Sequence, residues 1–436
     1  MGNNSGTVTP APPSLPRQPG AAALSPRIAL LFLIADTGGG HRTAARAVTD
    51  ALESAYPGRF APVLCDPLGG PRSSAVLRFV TGLYGPSIRL APWTWGAIYY
   101  ASDSKAAMGF LRKTLLALAN RPVAEATSAH RPAAIVSFHP LVGGAAVAAG
   151  ARAASPTPVV AVVTDLITPH AAWRYDRVDT LVVPSAAVRW RCHLDGISAD
   201  RCHELGLPVG AAFTAGPARA AERIALRRSL GLSEDRFLAV LTGGGEGSGG
   251  LAKRATALVK AYDDVEVVAI CGRNRRLEAK LRRRAAKVGG NRLVVRGFVD
   301  NMADWLRAAD VVVSKAGPGT IAEATCCGAP LLITSHVPGQ EKGNTEFVVG
   351  AGAGREVPGI DELLEEVGRL RSDPAAVDAM RAGAARLGRP RAAAEIAALI
   401  AATVDGPRAV GEGNHLGSLD TVSPETRRTA ESRAVR

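Results

Sequence analysis

The sequence predicts an α/β protein of two domains, each a parallel sheet flanked by helices. Three observations predict it. Short apolar runs rich in Val and Ile recur along the chain, a composition that suits strands buried on both faces. Several of these runs end in glycines that open a helical pattern, and such strand, turn and helix units build parallel sheets. The length of 436 residues exceeds what one core usually organises, so two domains are expected.

Composition narrows the function. Apolar residues at 47% and charged residues at 21% suit a soluble globular chain. The net charge of +13 predicts attraction to an anionic partner, and nucleic acid, nucleotide and anionic lipid all qualify. Six cysteines without a CxxC spacing fit a reducing compartment. Two adjacent pairs, Cys192 with His193 and Cys202 with His203, are poor zinc donors, because neighbouring ligands rarely converge on one ion. No run reaches the roughly 18 apolar residues of a membrane span. Ile28 to Ala35 is short for a signal core and leads into a glycine turn, and Gly6 stands where a myristoylation signal wants Ser or Thr.

Residues 1–26 are rich in Pro, Ala, Gly and Ser without periodicity and are expected to be a disordered tail. Ile28 to Ala35 is the first strand. It runs into DTGGGHR and a helix with Ala44, Val48, Leu52 and Ala55 at helical spacing. Gly39 and Gly40 permit close approach of another molecule, and His41, whose ordinary pKa lies nearest neutrality, is the candidate general base. Residues 71–115 interleave Phe79, Trp93, Trp95, Tyr99, Tyr100 and Phe110 with Arg and Lys. Such a segment suits a membrane interface, core packing or single-stranded nucleic acid. Further strands are expected at Ala134 to Ser137, Val159 to Thr164 and Thr180 to Val183. His139 and Asp165 follow two of them, at the edge where open α/β sheets bind ligands, although either can instead cap a loop. The first domain is expected to span 27–210 and a linker 211–221.

The second domain, expected over 222–404, opens with a helix and the strand Phe237 to Leu241. Gly243, Gly244 and Gly245 then make an anion-cradling turn. A basic run from Arg273 to Lys287 reads as a solvated face, a site for lipid headgroups, or a nucleic-acid contact. Val311 to Val313 is a strand whose turn, Gly317 to Thr320, starts a helix. The amides of Gly317, Gly319 and Thr320 suit phosphate, and Glu323 one turn later suits ribose hydroxyls. After another strand, Pro330 to Thr334, the polar loop with Gln340, Glu341 and Asn344 is placed to read sugar hydroxyls. The chain after Arg355 is mainly helical to Val404, and 405–436 is expected to be a second disordered tail.

The run DTGGGHR, SFHPL at Ser137 to Leu141, TDLITPHAAW at Thr164 to Trp173, SKAGPGTIAEA and PGQEKGN together resemble the monogalactosyldiacylglycerol synthase and processive diacylglycerol glucosyltransferase family. They stand in that family's order from Ile28 to about Val357. The resemblance implies the GT-B architecture, two Rossmann-like domains facing across a cleft. It implies a UDP-hexose donor, with Phe298 and Val299 against the uracil, and a diacylglycerol or similar lipid acceptor. It favours a membrane interface at Trp93, Trp95, Tyr99 and Tyr100. A protein of this kind is expected to sit in the cytoplasm at the inner face of an anionic membrane, with no nucleic-acid partner. No Asp-x-Asp motif is present, so no obligatory metal and no cofactor beyond the donor substrate is expected. The mechanism expected is inverting transfer with His41 as base. The alternatives are another lipid or polyprenyl acceptor, a UDP-sugar epimerase, or a basic non-enzymatic adaptor.

Overall fold

The protein was analysed as a computed structural model that describes residues 26–35, 39–83, 92–175, 177–245, 250–288 and 291–406, without the side chains of Pro92, Trp93 and Trp95. Both expected tails therefore fall almost wholly outside the described residues. The described residues up to Val404 belong to one compact unit.

The chain builds two six-stranded sheets, and every strand pair in them is parallel. The first contains β1 (Ile28–Leu33), β2 (Phe60–Cys65), β3 (Ala134–Ser137), β4 (Val159–Val162), β5 (Thr180–Val183) and β6 (Cys202–Glu204), in the order 2-1-3-4-5-6. The second contains β7 (Phe237–Thr242), β8 (Val265–Ile270), β9 (Leu293–Arg296), β10 (Val311–Ser314), β11 (Leu331–Ile333) and β12 (Gly354–Glu356). Its order is 12-11-10-7-8-9, the doubly wound arrangement of nucleotide-binding sheets. Ligands bind such sheets where the strand order reverses, beyond the carboxyl ends of the strands. That places one binding edge after β1 and β3 and another after β7 and β10.

Two strands were not legible in the sequence. The β2 strand holds Pro62, which lacks the N–H an interior strand must donate, and β2 lies at the sheet edge, where that lack is tolerated. The β12 strand has only the three residues Gly354–Glu356 and is also an edge. Gly354 is required there, because a side-chain carbon at that position would lie 2.2 Å from the Leu331 carbonyl oxygen.

The domain boundaries need one correction. The last described helix, Ala392–Asp405, does not close the second sheet. Its Ile396, Ala397, Ile400 and Ala401 are buried with Leu30, Phe32, Val136, Val160 and Val182 on the first sheet. Apolar spacing announces that a helix is buried on one face but says nothing of which sheet receives it. The expected linker is also structured in part, with a 3-10 turn at Ala211–Ala215 and a helix beginning at Ala220.

The aromatic segment forms the helices Ala75–Gly82, Pro92–Ser102 and Lys105–Lys113. Ser74 and Ser104 cap the first and third of these, each accepting a backbone N–H through its hydroxyl. Arg174, nearly buried, ties the segment down through Asp103 at 3.1 Å and Asp195 at 3.0 Å.

Candidate active site

The first binding edge is organised by His41. Gly39 stands at φ +83°, a left-handed conformation that glycine adopts without strain, and the helix Gly40–Ala55 starts directly after it. Side-chain carbons at Gly39 or Gly40 would meet nothing within 4 Å, so this turn is open to an incoming molecule. His41 lies in the first helical turn with Nδ1 3.0 Å from Thr164 Oγ1. Its ring packs edge-on against His139 at 4.6 Å between centroids and lies 6.5 Å from the Trp173 ring. Burial pushes the imidazole down to about 4, and a hydrogen bond at the Phe138 backbone offsets this in part. His41 is therefore neutral near pH 7 and able to accept a proton.

His139 and Asp165 are both buried and engaged within their own loops. The Nδ1 atom of His139 accepts the Leu141 N–H at 3.3 Å and caps the turn Pro140–Val142. Burial, and then the nearby His41, hold its pKa well below the ordinary value. Asp165 is 3% exposed and both its oxygens are engaged. Oδ2 accepts from Trp173 Nε1 at 2.9 Å and from the His170 N–H at 3.4 Å, while Oδ1 accepts from Gln340 Nε2 at 3.1 Å. Burial pushes this carboxyl up to about 6 against the pull of those three donors. Asp165 is a buried hub.

The second edge holds the glycine turns. Gly244 is at φ +69° and its N–H donates to Thr242 Oγ1 at 3.3 Å. The Arg273 N–H closes the Gly243 to Gly245 turn on the Gly245 carbonyl at 2.8 Å. The helix Pro318–Cys326 begins after β10, and its early amides divide in an unexpected way. Gly317, expected to offer its N–H to phosphate, donates it to the Lys315 carbonyl at 2.8 Å. Pro318 has no N–H to give. The amides left for an anion are those of Gly319 and Thr320, and Gly319 faces open space.

Glu323 is half-buried, has no side-chain partner among the described residues, and is pushed up to about 7 by burial. A half-buried carboxylate without a side-chain partner can accept hydrogen bonds from a bound molecule. Phe298 is exposed, with the Arg273 guanidinium 5.2 Å from its ring centre, while Val299 beside it packs into the second core. The rest of the basic run is largely a solvated face on the helix Arg275–Val288.

The polar loop after β11 corrects two expected sugar contacts. Glu341 is 4% exposed, with Oε1 paired to Lys315 and Oε2 accepting the Val337 N–H at 2.9 Å. Asn344 is buried and donates to the Ala316 carbonyl at 2.9 Å, leaving Oδ1 without a partner. Both residues shape the loop from beneath. Gln340 is the one of the three that reaches across, to Asp165.

Tyr99 is corrected as well. It is 4% exposed, donates its hydroxyl to the Thr168 carbonyl at 3.0 Å, and lies where a side chain on Gly339 would strike it at 2.6 Å. Tyr100 is 62% exposed and remains an interface candidate. The side chains of Trp93 and Trp95 lie outside the described residues. Phe79, Leu83, Ile98 and Phe110 join Tyr100 as exposed apolar groups. Sequence reasoning missed Thr164, Trp173 and Lys315 as site residues. The first two stand inside the TDLITPHAAW run, and the third two residues before Gly317, but no spacing rule singles them out. Among the described residues no group of three His, Cys, Asp or Glu side chains gathers as a metal site, and no helix is long and apolar enough to cross a membrane.

Known proteins match this arrangement in sequence and in fold. The family model of monogalactosyldiacylglycerol (MGDG) synthase matches residues 41–209, and that of the glycosyltransferase family 28 C-terminal domain matches residues 239–396. The chloroplastic monogalactosyldiacylglycerol synthase 3 of Arabidopsis thaliana is 31% identical over 338 residues, 74% of this chain and 70% of that relative. The crystal structure of Acinetobacter baumannii MurG superposes with a TM-score of 0.57 at 16% identity, over 86% of this chain and 99% of that one. Anabaena Alr3699/HepE in complex with UDP-glucose gives 0.53 at 16% identity, over 86% and 100%. These two likenesses carry the fold, which is GT-B.

Proposed function

The chain belongs to the monogalactosyldiacylglycerol synthase family, glycosyltransferases that make glycolipid from a UDP-sugar, and on that premise we propose inverting transfer of a hexose to the free hydroxyl of diacylglycerol at a membrane surface. The observation that carries the reading is His41, a neutral imidazole on an open glycine turn, oriented by Thr164. In this mechanism the acceptor hydroxyl gives its proton to His41 as its oxygen attacks the anomeric carbon. The bond from that carbon to the β-phosphate oxygen breaks, and its electron pair stays on UDP. The amides of Gly319 and Thr320 face the charge that develops there. Glu323 holds the ribose hydroxyls, and Phe298 lies beside the uracil. A pKa of about 4 makes His41 a weak base in the free protein. The diphosphate brought by the donor is an anion across the cleft and raises it.

Support for the membrane surface comes from the exposed apolar groups Phe79, Leu83, Ile98, Tyr100 and Phe110, on or directly beside the helices Ala75–Gly82, Pro92–Ser102 and Lys105–Lys113. We place the protein peripherally on the cytoplasmic leaflet, a compartment that six free cysteines suit. The test is transfer of labelled hexose from UDP-galactose and, separately, UDP-glucose to diacylglycerol in anionic liposomes, with His41→Ala alongside. Product from one donor that disappears in the variant, and that persists in excess EDTA, is the expected result. UDP binding without product from either donor would move the acceptor assignment to another lipid alcohol.

A further inference from the structure

We propose that Lys315 is the cation that meets the donor's diphosphate, and that Glu341 holds it there; the inference rests on the UDP-sugar reading above and adds to it a charged group.

The turn after β10 is short of donors. Of its first amides one is spent on Lys315 and one is absent at Pro318, which leaves Gly319 and Thr320 to face a group carrying more than one negative charge. Neutral amides and a helix dipole together amount to about half a positive charge. A full charge nearby changes that balance, and the structure has one. Lys315 directly follows β10, at the point where the strand order of the second sheet reverses. A side-chain carbon on Gly317 would lie 3.0 Å from Lys315 Nζ and 3.9 Å from Glu341 Oε1, so the ammonium and its carboxylate stand directly over the phosphate-facing turn. Lys315 also lines a small cavity with Thr242, Arg254, Ser314 and Thr334, at the carboxyl ends of β7 and β10.

Glu341 makes this placement rigid. Its second oxygen is fixed by the Val337 N–H, and its side chain is 6% exposed against 28% for that of Lys315. The carboxylate lies beneath and the ammonium above. An ammonium has three hydrogens, and Glu341 takes one. Lys315 gives up no proton in the reaction. It pairs with the β-phosphate oxygen that receives the electron pair of the broken bond.

The test compares uridine, UMP and UDP binding by calorimetry in the wild type, in Lys315→Arg and in Lys315→Met/Glu341→Gln. The double substitution removes both charges together, which avoids leaving a buried carboxylate unpaired. The expected result is unchanged uridine affinity throughout, with UDP weakened about tenfold or more in the double variant and less in Lys315→Arg. Equal weakening of uridine and UDP, or unweakened UDP, would show a purely structural ion pair and overturn the proposal. A wild type that binds none of the three would overturn the donor reading itself, and Lys315 with it.

Discussion

Gln340 donates its side-chain amide to Asp165 Oδ1 at 3.1 Å, and this bond ties the loop after β11 to the loop after β4. The two loops belong to different sheets. Asp165 in turn accepts from Trp173, whose ring lies 6.5 Å from that of His41. A chain of contacts therefore runs from the donor-side loop to the base. Removing its centre by Asp165→Ala leaves the buried Trp173 indole N–H without an acceptor, with an expected loss of about 2 to 3 kcal/mol in urea denaturation. The raised carboxyl adds a pH signature. Between pH 3.8 and about 6 the folded state holds the proton more tightly than the unfolded one, so stability falls as pH rises through that window. Asp165→Asn should flatten that slope.

His41→Ala is expected to lower turnover at least a hundredfold while UDP affinity stays unchanged, as general-base removal requires. Thr164→Val, which deletes only the hydroxyl facing Nδ1, should cost about tenfold in turnover by loosening the ring. An NMR titration reads the base itself. The imidazole should titrate near 4 in the free protein and higher with UDP bound. Since its folded pKa lies below the unfolded one, His41 also makes stability fall as pH drops from 6.5 towards 4.

Glu323 ties uridine affinity to pH. A carboxyl pushed up to about 7 is half protonated at neutrality, and only the ionised form accepts from both ribose hydroxyls. Uridine, which has no phosphate to titrate, should bind more tightly at pH 8 than at pH 6. Glu323→Gln should bind weakly at both. The same shift makes stability decline as pH rises from 4.5 through 7, a slope that the substitution removes.

The exposed apolar groups predict a separable membrane defect. Phe79→Ser with Phe110→Ser should reduce flotation with anionic liposomes while leaving UDP binding intact. Tyr99→Phe is the contrasting variant. It should leave flotation unchanged and cost about 1 kcal/mol in stability, the worth of its hydroxyl bond to Thr168.

The sequence made the strand and glycine-turn units legible because burial on both faces leaves unbroken apolar runs, and these end at the binding edges. β1, β3, β5, β7 and β10 were read that way. What stayed hidden depends on contacts between distant segments. Tyr99 resembles any aromatic on a helix until Gly339 is seen to leave room for its ring. Glu341 looks like a sugar contact until Lys315, twenty-six positions earlier, takes one of its oxygens. Local spacing carries no trace of either pairing.

The helix Ala392–Asp405 completes the floor of the first sheet, although it is the last described element in the chain. During synthesis, then, the lobe that is made first finishes last. Its β1, β3, β4 and β5 strands must wait, with the part of one apolar face that the helix Gly40–Ala55 does not cover left open, while the whole second sheet is made. An uncovered sheet face of that kind is prone to association, so truncation before Ala392 should yield aggregates, and the separately expressed first half should need this helix supplied in trans to remain in solution.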